Sequence, residues 1–141
     1  MRAKEDSLPP LRLLIVEDET LISLLIETTV RELGHEAAGC AYSVADALAI
    51  LDASPHTIDA AMLDVNLGGR LVFPVAEALE ERRIPFAFLT GYGAHGVPAR
   101  YAHARVMQKP FTEDDLADAM TLLQRERYGE VRQGLAQGVM G

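Results

Sequence analysis

Five short runs of aliphatic and aromatic residues recur along the chain, and each is followed by a stretch with helical spacing. No other feature restricts the fold as much. The runs are Leu11 to Val16, His35 to Tyr42, Ile58 to Leu63, Phe86 to Leu89 and Ala104 to Gln108. Leu11 to Val16, dense in Leu, Ile and Val, fits a strand buried on both faces, while His35 to Tyr42 is more weakly signalled. Between the first two, Thr20 to Leu33 carries Ile22, Leu25, Ile26, Val30 and Leu33 at helical spacing, and Gly34 fits the stop. Leu21 and Leu24 widen that apolar side, and a broad core face accounts for them better than a dimer surface. Ser43 with Asp46 reads as a capping box ahead of Val44, Ala47, Leu48 and Leu51, and Pro55 closes the helix. Gly68-Gly69 marks a loop. Pro74 suits a first helical turn, and Val75, Ala78 and Leu79 give that helix its buried side. Residues 91 to 103 hold Gly91, Gly93, Gly96 and Pro98, so any helix there is expected to be short and weakly formed. Thr112 with Asp115 is a second capping box, before Leu116, Ala119, Met120 and Leu123.

Strands separated by helices form parallel sheets with right-handed crossovers. Five such units predict an α/β fold: a flavodoxin-like, doubly wound five-stranded parallel sheet in the order 2-1-3-4-5, with five helices of which the fourth is weak. Residues 1–10 read as a loose arm, 11–127 as the folded domain and 128–141 as a frayed tail. The 141 residues are expected to form one domain, with no separate DNA reader or catalytic unit. The single cysteine, Cys40, allows no internal disulfide and fits a reducing, cytoplasmic setting. The longest apolar run is five residues, Ala47 to Leu51, too short for a membrane span. A net charge of -8 argues against a nucleic-acid partner, because phosphate binding needs a basic face. The Gly-rich dinucleotide fingerprint and the P-loop are both missing from the sequence.

The polar residues that follow the strands carry the chemistry. Glu17, Asp18 and Glu19 follow the first, Asp64 the third, Thr90 and Gly91 the fourth, and Lys109 and Pro110 the fifth. In a parallel sheet these ends share one edge, and strands one and three flank the switch point where ligands bind. Asp18 and Asp64 should therefore face each other, with Thr90 and Lys109 beyond Asp64. Clustered carboxylates repel by roughly 4 kcal/mol per pair at about 4 Å and an effective dielectric near 20. Lys109 supplies one compensating charge. A hard divalent ion supplies the rest: magnesium, with manganese as its substitute, on Asp18 and Asp64, with Glu17 acting through water and the Asn66 backbone carbonyl completing the set. The same arrangement suits phosphoryl transfer to a carboxylate nucleophile. The ion would bind one phosphoryl oxygen, Lys109 another and the Thr90 hydroxyl a third, with Gly91 leaving room for entry. Each residue alone has an ordinary explanation as a cap or a loop side chain; their joint placement at the ends of the right strands does not.

Val16-Glu17-Asp18-Glu19, Leu63-Asp64-Val65-Asn66, Leu89-Thr90-Gly91 and Lys109-Pro110-Phe111 together make the chain resemble the receiver domain of two-component response regulators, over roughly Leu11 to Arg127. The resemblance implies a CheY-like fold. It implies that Asp64 is phosphorylated by a histidine kinase or a histidine phosphotransfer protein, that Glu17 and Asp18 are the magnesium-binding acidic pair, that Thr90 is the switch hydroxyl, and that Lys109 contacts the phosphoryl group. Such a protein is a phosphoacceptor, catalysing only its own phosphorylation and slow self-dephosphorylation. It would signal to a downstream protein as a monomer or weak homodimer, through surfaces beside strands four and five. Phe86-Ala87-Phe88-Leu89-Thr90-Gly91-Tyr92-Gly93 is similar to the FAT GUY subgroup of stand-alone receivers, common in alphaproteobacteria and tied to general stress signalling.

Three positions depart from the family pattern. Gly68 stands where a Pro is common, four residues after Asp64. Leu89 replaces the Ala before the Thr. Val106 replaces the Tyr or Phe found three residues before the lysine, so the usual Thr–aromatic switch is not available. Tyr92 and the glycine-rich segment 91–98 are the expected substitute, a weakly formed element that a bound phosphoryl group can order. Asn66 and Tyr92, two positions after Asp64 and Thr90, are the expected tuners of phosphoryl lifetime. Three other readings compete: a receiver-fold binding module that acts without phosphorylation, a phosphoryl sink, and a magnesium-dependent phosphatase with an aspartyl-phosphate intermediate. The last needs a general acid where Asn66 stands.

Overall fold

The structure, a computed structural model, describes residues 8–54, 56–91 and 96–129. Pro55, Tyr92, Gly93, His95, most of the expected arm and nearly all of the expected tail lie outside the described residues.

The described strands are β1 (Arg12–Val16), β2 (Glu36–Ala41), β3 (Ala60–Asp64), β4 (Asn66–Leu67), β5 (Arg70–Leu71), β6 (Phe86–Thr90) and β7 (Arg105–Gln108). The α-helices are α1 (Thr20–Glu32), α2 (Val44–Ala53), α3 (Phe73–Glu81) and α4 (Glu113–Gln124). The five long strands form one parallel sheet in the order β2-β1-β3-β6-β7, which is the expected 2-1-3-4-5. The weak fourth helix of the sequence reading is a single 3-10 turn, Ala99–Tyr101, which leaves four α-helices among the described residues. Its glycine- and proline-rich approach explains the brevity: Pro98 is its N-cap, at ψ 151, and so stays outside the helical region.

Alternate strand residues point to opposite faces. Leu14, Val16, Ala61, Leu63, Phe86 and Phe88 share a core with Val44, Ala47 and Leu51 of α2 and Val75, Ala76 and Leu79 of α3. Leu13, Ile15, Ala60, Met62, Ala87, Leu89 and Met107 share the opposite core with Ile26 and Val30 of α1 and Leu116, Ala119, Met120 and Leu123 of α4. Both faces are covered, as a doubly wound sheet requires.

The first helix corrects the sequence reading. Leu25 and Leu33 are 49% and 42% exposed, and Leu21 and Leu24 are 81% and 55% exposed, so none of the four forms a wide core face. The buried side of α1 is Ser23, Ile26, Thr29 and Val30. Two hydroxyl residues occupy inner positions that a hydropathy pattern assigns to leucines, and the true core stripe is therefore rotated around the helix.

Caps fix the helix ends. Ser43 Oγ accepts the Asp46 N–H at 3.0 Å, and Thr112 and Asp115 close a capping box in both directions. Helix α1 stops at Gly34, φ +93, with His35 N–H donating to Val30 O at 2.9 Å. Helix α3 ends with the same bond pattern, Ile84 to Leu79 O at 2.9 Å and Arg83 to Glu80 O at 3.0 Å, but with Arg83 at φ +57 in the left-handed position. At the other edge of the sheet, Asp59 is buried and accepts the Arg12 backbone N–H at 2.9 Å and its guanidinium at 3.1 Å. Burial pushes the Asp59 carboxyl up, and the Arg12 bonds outweigh it and hold the group below its ordinary 3.8.

Candidate functional site

Parallel pairing brings the carboxyl ends of β1, β3, β6 and β7 to one edge. Val16 pairs with Leu63, Asp64 with Leu89 and Thr90 with Gln108. The ladder continues one residue past the strands: Val65 N–H donates to Leu89 O at 2.9 Å and Lys109 N–H to Thr90 O at 2.9 Å. Glu17, Asp64, Thr90 and Lys109 are therefore set by the sheet itself and not by free loops.

Their side chains converge. Glu17, Asp18 and Asp64 each offer a carboxylate oxygen within 4.8 Å of the others. Lys109 Nζ stands 2.8 Å from Glu17 Oε1, 3.1 Å from Asp64 Oδ2 and 3.6 Å from Glu19 Oε1. Glu17 is fully buried, with 0% exposure, and its Oε2 accepts the Glu19 N–H at 3.0 Å. Asp64 is buried as well, and its Oδ1 accepts the Asn66 N–H at 3.2 Å. Thr90 is buried at the end of β6. A Cβ at Gly91 would meet no atom within 4 Å. The Lys109–Pro110 peptide is cis.

The electrostatics are unbalanced. Three carboxylates face one ammonium. Burial pushes the Glu17 carboxyl up to about 7, against the lowering effect of Lys109. Burial opposes the charge on Lys109 too, but its bonds to Glu17 and Asp64 outweigh burial and raise it above its ordinary value. Lys109 Nζ, 2.8 Å away, is the charge that faces the buried Glu17 Oε1.

These features fit a hard divalent cation. Every side-chain donor in the cluster is a carboxylate oxygen, which suits magnesium, calcium or manganese and not a soft metal. Lys109 offsets only one of the three carboxylates, so the cluster keeps a net negative charge that a divalent ion would balance. The tip of the β4–β5 hairpin leaves room beside Asp18: a Cβ at Gly68 would lie 3.6 Å from Asp18 Oδ2.

The hairpin is the feature the sequence reading treated only as a loop. Gly68 and Gly69 take φ +59 and +93 between antiparallel β4 and β5, a two-residue turn of the primed type. The signal was present, since Gly-Gly between two short runs is a hairpin pattern. Asn66 Oδ1 accepts the Gly69 N–H at 2.7 Å, so the carboxamide is engaged in the turn. Tyr92, the other expected tuner, lies outside the described residues. Val106 is half-buried, pairs with Phe88 and packs on a core that contains Tyr101. Tyr101 is buried, stacked on Phe73 with ring centroids 5.7 Å apart, and edge-on to Phe86 and Phe88. No sequence signal singled it out.

No family model matches the chain. It is 32% identical over 121 residues to the transcriptional regulatory protein PdtaR of Mycobacterium tuberculosis, covering 83% of this chain. The chain spans 58% of that relative's length. The solution structure of SdrG from Sphingomonas melonis Fr1 is 45% identical with a TM-score of 0.71, covering 81% of this chain and 96% of SdrG. SdrG in its BeF3-activated conformation matches at 45% identity and a TM-score of 0.70, over 80% and 95% of the two chains. The receiver (REC) domain of the response regulator PhyR from Erythrobacter litoralis is 26% identical with a TM-score of 0.67, over 81% of this chain and 89% of that one. A PhyR described as a stress response regulator is 25% identical with a TM-score of 0.68, over 89% of this chain and 48% of its own.

Proposed function

The chain belongs to the receiver domains of response regulators, and from that membership we propose that it accepts a phosphoryl group on Asp64 from a phospho-histidine donor and passes the signal on by protein contact. One observation carries the reading: the Asp64 carboxylate lies within 4.8 Å of the Glu17 and Asp18 oxygens and 3.1 Å from Lys109 Nζ.

In the transfer, a carboxylate oxygen of Asp64 attacks phosphorus. The new P–O bond forms as the P–N bond breaks, and the imidazole leaves with the bonding electrons and takes a proton from solvent. A carboxylate brings its own lone pair, so no protein base is needed. Lys109 and the Thr90 hydroxyl hold phosphoryl oxygens, and the backbone ladder keeps both in line with Asp64. Asp18 and Asp64, with Glu17 through water, would hold magnesium, which when bound would supply the positive charge that the incoming phosphoryl oxygens require. The Asn66 backbone carbonyl would complete the set, while its side-chain oxygen accepts the Gly69 N–H at 2.7 Å. That engagement, and the lack of an acid at this position, argue against a phosphatase.

The activated form of SdrG supports the phosphoacceptor role, because beryllofluoride is a phosphoryl mimic. The PhyR likeness supports a place in stress signalling. The test is intact-protein mass spectrometry after incubation with magnesium and phosphoramidate. One added phosphoryl group is expected, absent without magnesium and absent in Asp64→Asn. A mass shift retained in the variant overturns Asp64 as the acceptor.

A further inference from the structure

Glu19 occupies the N-cap position of α1 and does not cap it. Ser43 and Thr112 cap α2 and α4 with their hydroxyls, whereas the Glu19 side chain makes no bond to the first turn of its helix. Its backbone is held on both sides: the N–H donates to Glu17 Oε2 at 3.0 Å, and the carbonyl accepts the Ser23 N–H at 2.9 Å. The carboxylate reaches toward the pocket instead, with Oε1 3.6 Å from Lys109 Nζ.

Three carboxylates thus stand around one ammonium, and they are held to different degrees. The Glu17 and Asp64 side chains are 0% and 7% exposed and lie 2.8 and 3.1 Å from Nζ. The Glu19 side chain is 63% exposed and is the farthest of the three. An exposed ion pair contributes little to stability, so it exchanges readily for water or another anion. Glu17 and Asp64 are buried at the strand ends, whereas Glu19 can turn into solvent while its backbone stays in place.

A phosphoryl group on Asp64 brings further negative charge to Lys109. Its oxygens and Glu19 Oε1 then compete for the same ammonium and repel each other at short range. Resting on the reading of Asp64 as the acceptor and Lys109 as the phosphoryl contact, we propose that Glu19 is a positioning residue that acts through Lys109. It is a displaceable counter-ion: it holds the ammonium in the resting chain and must give way when the phosphoryl group arrives, which slows phosphorylation and weakens the hold on the phosphoryl group.

The test measures the rate of labelling by phosphoramidate and the dissociation constant of beryllofluoride, both at saturating magnesium, on the full chain, Glu19→Gln and Glu19→Asp. Glutamine keeps the length and removes the charge. Aspartate keeps the charge but is one carbon shorter, which draws it away from Lys109. Glu19→Gln is expected to be labelled at least threefold faster and to bind beryllofluoride at least threefold more tightly, and Glu19→Asp is expected to follow it in both. A purely structural role for Glu19 would move the melting temperature in chelator and leave the beryllofluoride constant in place. Parent-like values in Glu19→Gln overturn the inference. Parent-like values in Glu19→Asp alone overturn the route through Lys109, since the charge would then act from a distance. A parent chain that takes up neither a phosphoryl group nor beryllofluoride overturns the site reading itself, and this inference with it.

Discussion

Lys109 Nζ lies closer to Glu17 Oε1, at 2.8 Å, than to Asp64 Oδ2, at 3.1 Å. The one ammonium is shared between two buried carboxylates, and Asp18 adds a third negative charge within 4.8 Å. Removing one carboxylate should relieve repulsion while leaving Lys109 paired to Glu17. Asp64→Asn is therefore expected to melt at or above the parent temperature in chelator. A lower melting temperature there would show that Lys109 depends on Asp64 more than the carboxylates repel one another.

Magnesium should reverse that order. An ion that binds only the folded chain stabilises it by RT ln(1 + [L]/Kd), about 2.7 kcal/mol at a hundredfold excess over Kd. The parent should gain several degrees in melting temperature on adding magnesium, and Asp64→Asn only a small part of that. Equal gains in both chains would mean that Asp64 is not a ligand.

The exposed leucines on α1 can be tested as a contact for the proposed phosphoryl donor. Leu21, Leu24 and Leu25 are exposed on α1, starting two residues after Glu19. Contiguous exposed apolar surface marks contact with a partner. Leu24→Glu is expected to slow transfer from a phospho-histidine protein at least tenfold and to leave labelling by phosphoramidate within twofold of the parent. Equal slowing with both donors would place Leu24 in the fold of the site and not in a docking surface.

The sheet order and the site edge were legible in the sequence because each depends on short-range signals. Apolar runs mark strands, capping residues mark helix starts, and parallel order then carries Glu17, Asp64, Thr90 and Lys109 to one edge. The rotation of α1 was not legible. Ser23 and Thr29 are polar by composition but fill inner positions, and only packing against the sheet reveals this. The nearness of Gly68 to Asp18 was hidden for another reason. It joins residues fifty positions apart through a hairpin whose placement over the pocket is tertiary. Tyr101 falls in the same class, since its neighbours Phe73, Phe86 and Phe88 come from two other elements.

Arg83 sits at φ +57 in a helix stop that glycine fills at the end of α1. A non-glycine residue in left-handed backbone costs about 1–2 kcal/mol, and glycine loses about 0.5–1 kcal/mol of this advantage through its freer unfolded chain. Arg83→Gly should therefore stabilise the protein by roughly 0.5–1 kcal/mol, read from urea unfolding. No gain would show that Arg83 makes compensating contacts at the foot of α3.

Acid should loosen the edge of the sheet opposite the site, and His35 fixes where that begins. Its Nδ1 accepts the Leu11 N–H at 2.9 Å, which an imidazolium cannot do. Burial holds the folded pKa below the ordinary 6.5. Just below pH 6.5 the unfolded chain binds the proton and the folded chain does not. This contribution is thus complete above 6.5 and is lost as pH falls toward the folded value. Asp59, held below 3.8 mainly by Arg12 against the opposing effect of burial, adds a second loss of the same sign below that pH. Glu17 works in the opposite sense. Its carboxyl, raised by burial to about 7, protonates first in the folded chain, so lowering pH from 7 toward 4.5 favours folding there. Parent stability alone therefore mixes the two. The difference between the parent and His35→Gln separates them, because Glu17 is common to both. That difference should be constant above pH 6.5, shrink as pH falls below it, and level off once the folded imidazole has titrated. A difference that stays constant from pH 8 to 4 would mean that the Leu11–His35 bond does not hold His35 neutral.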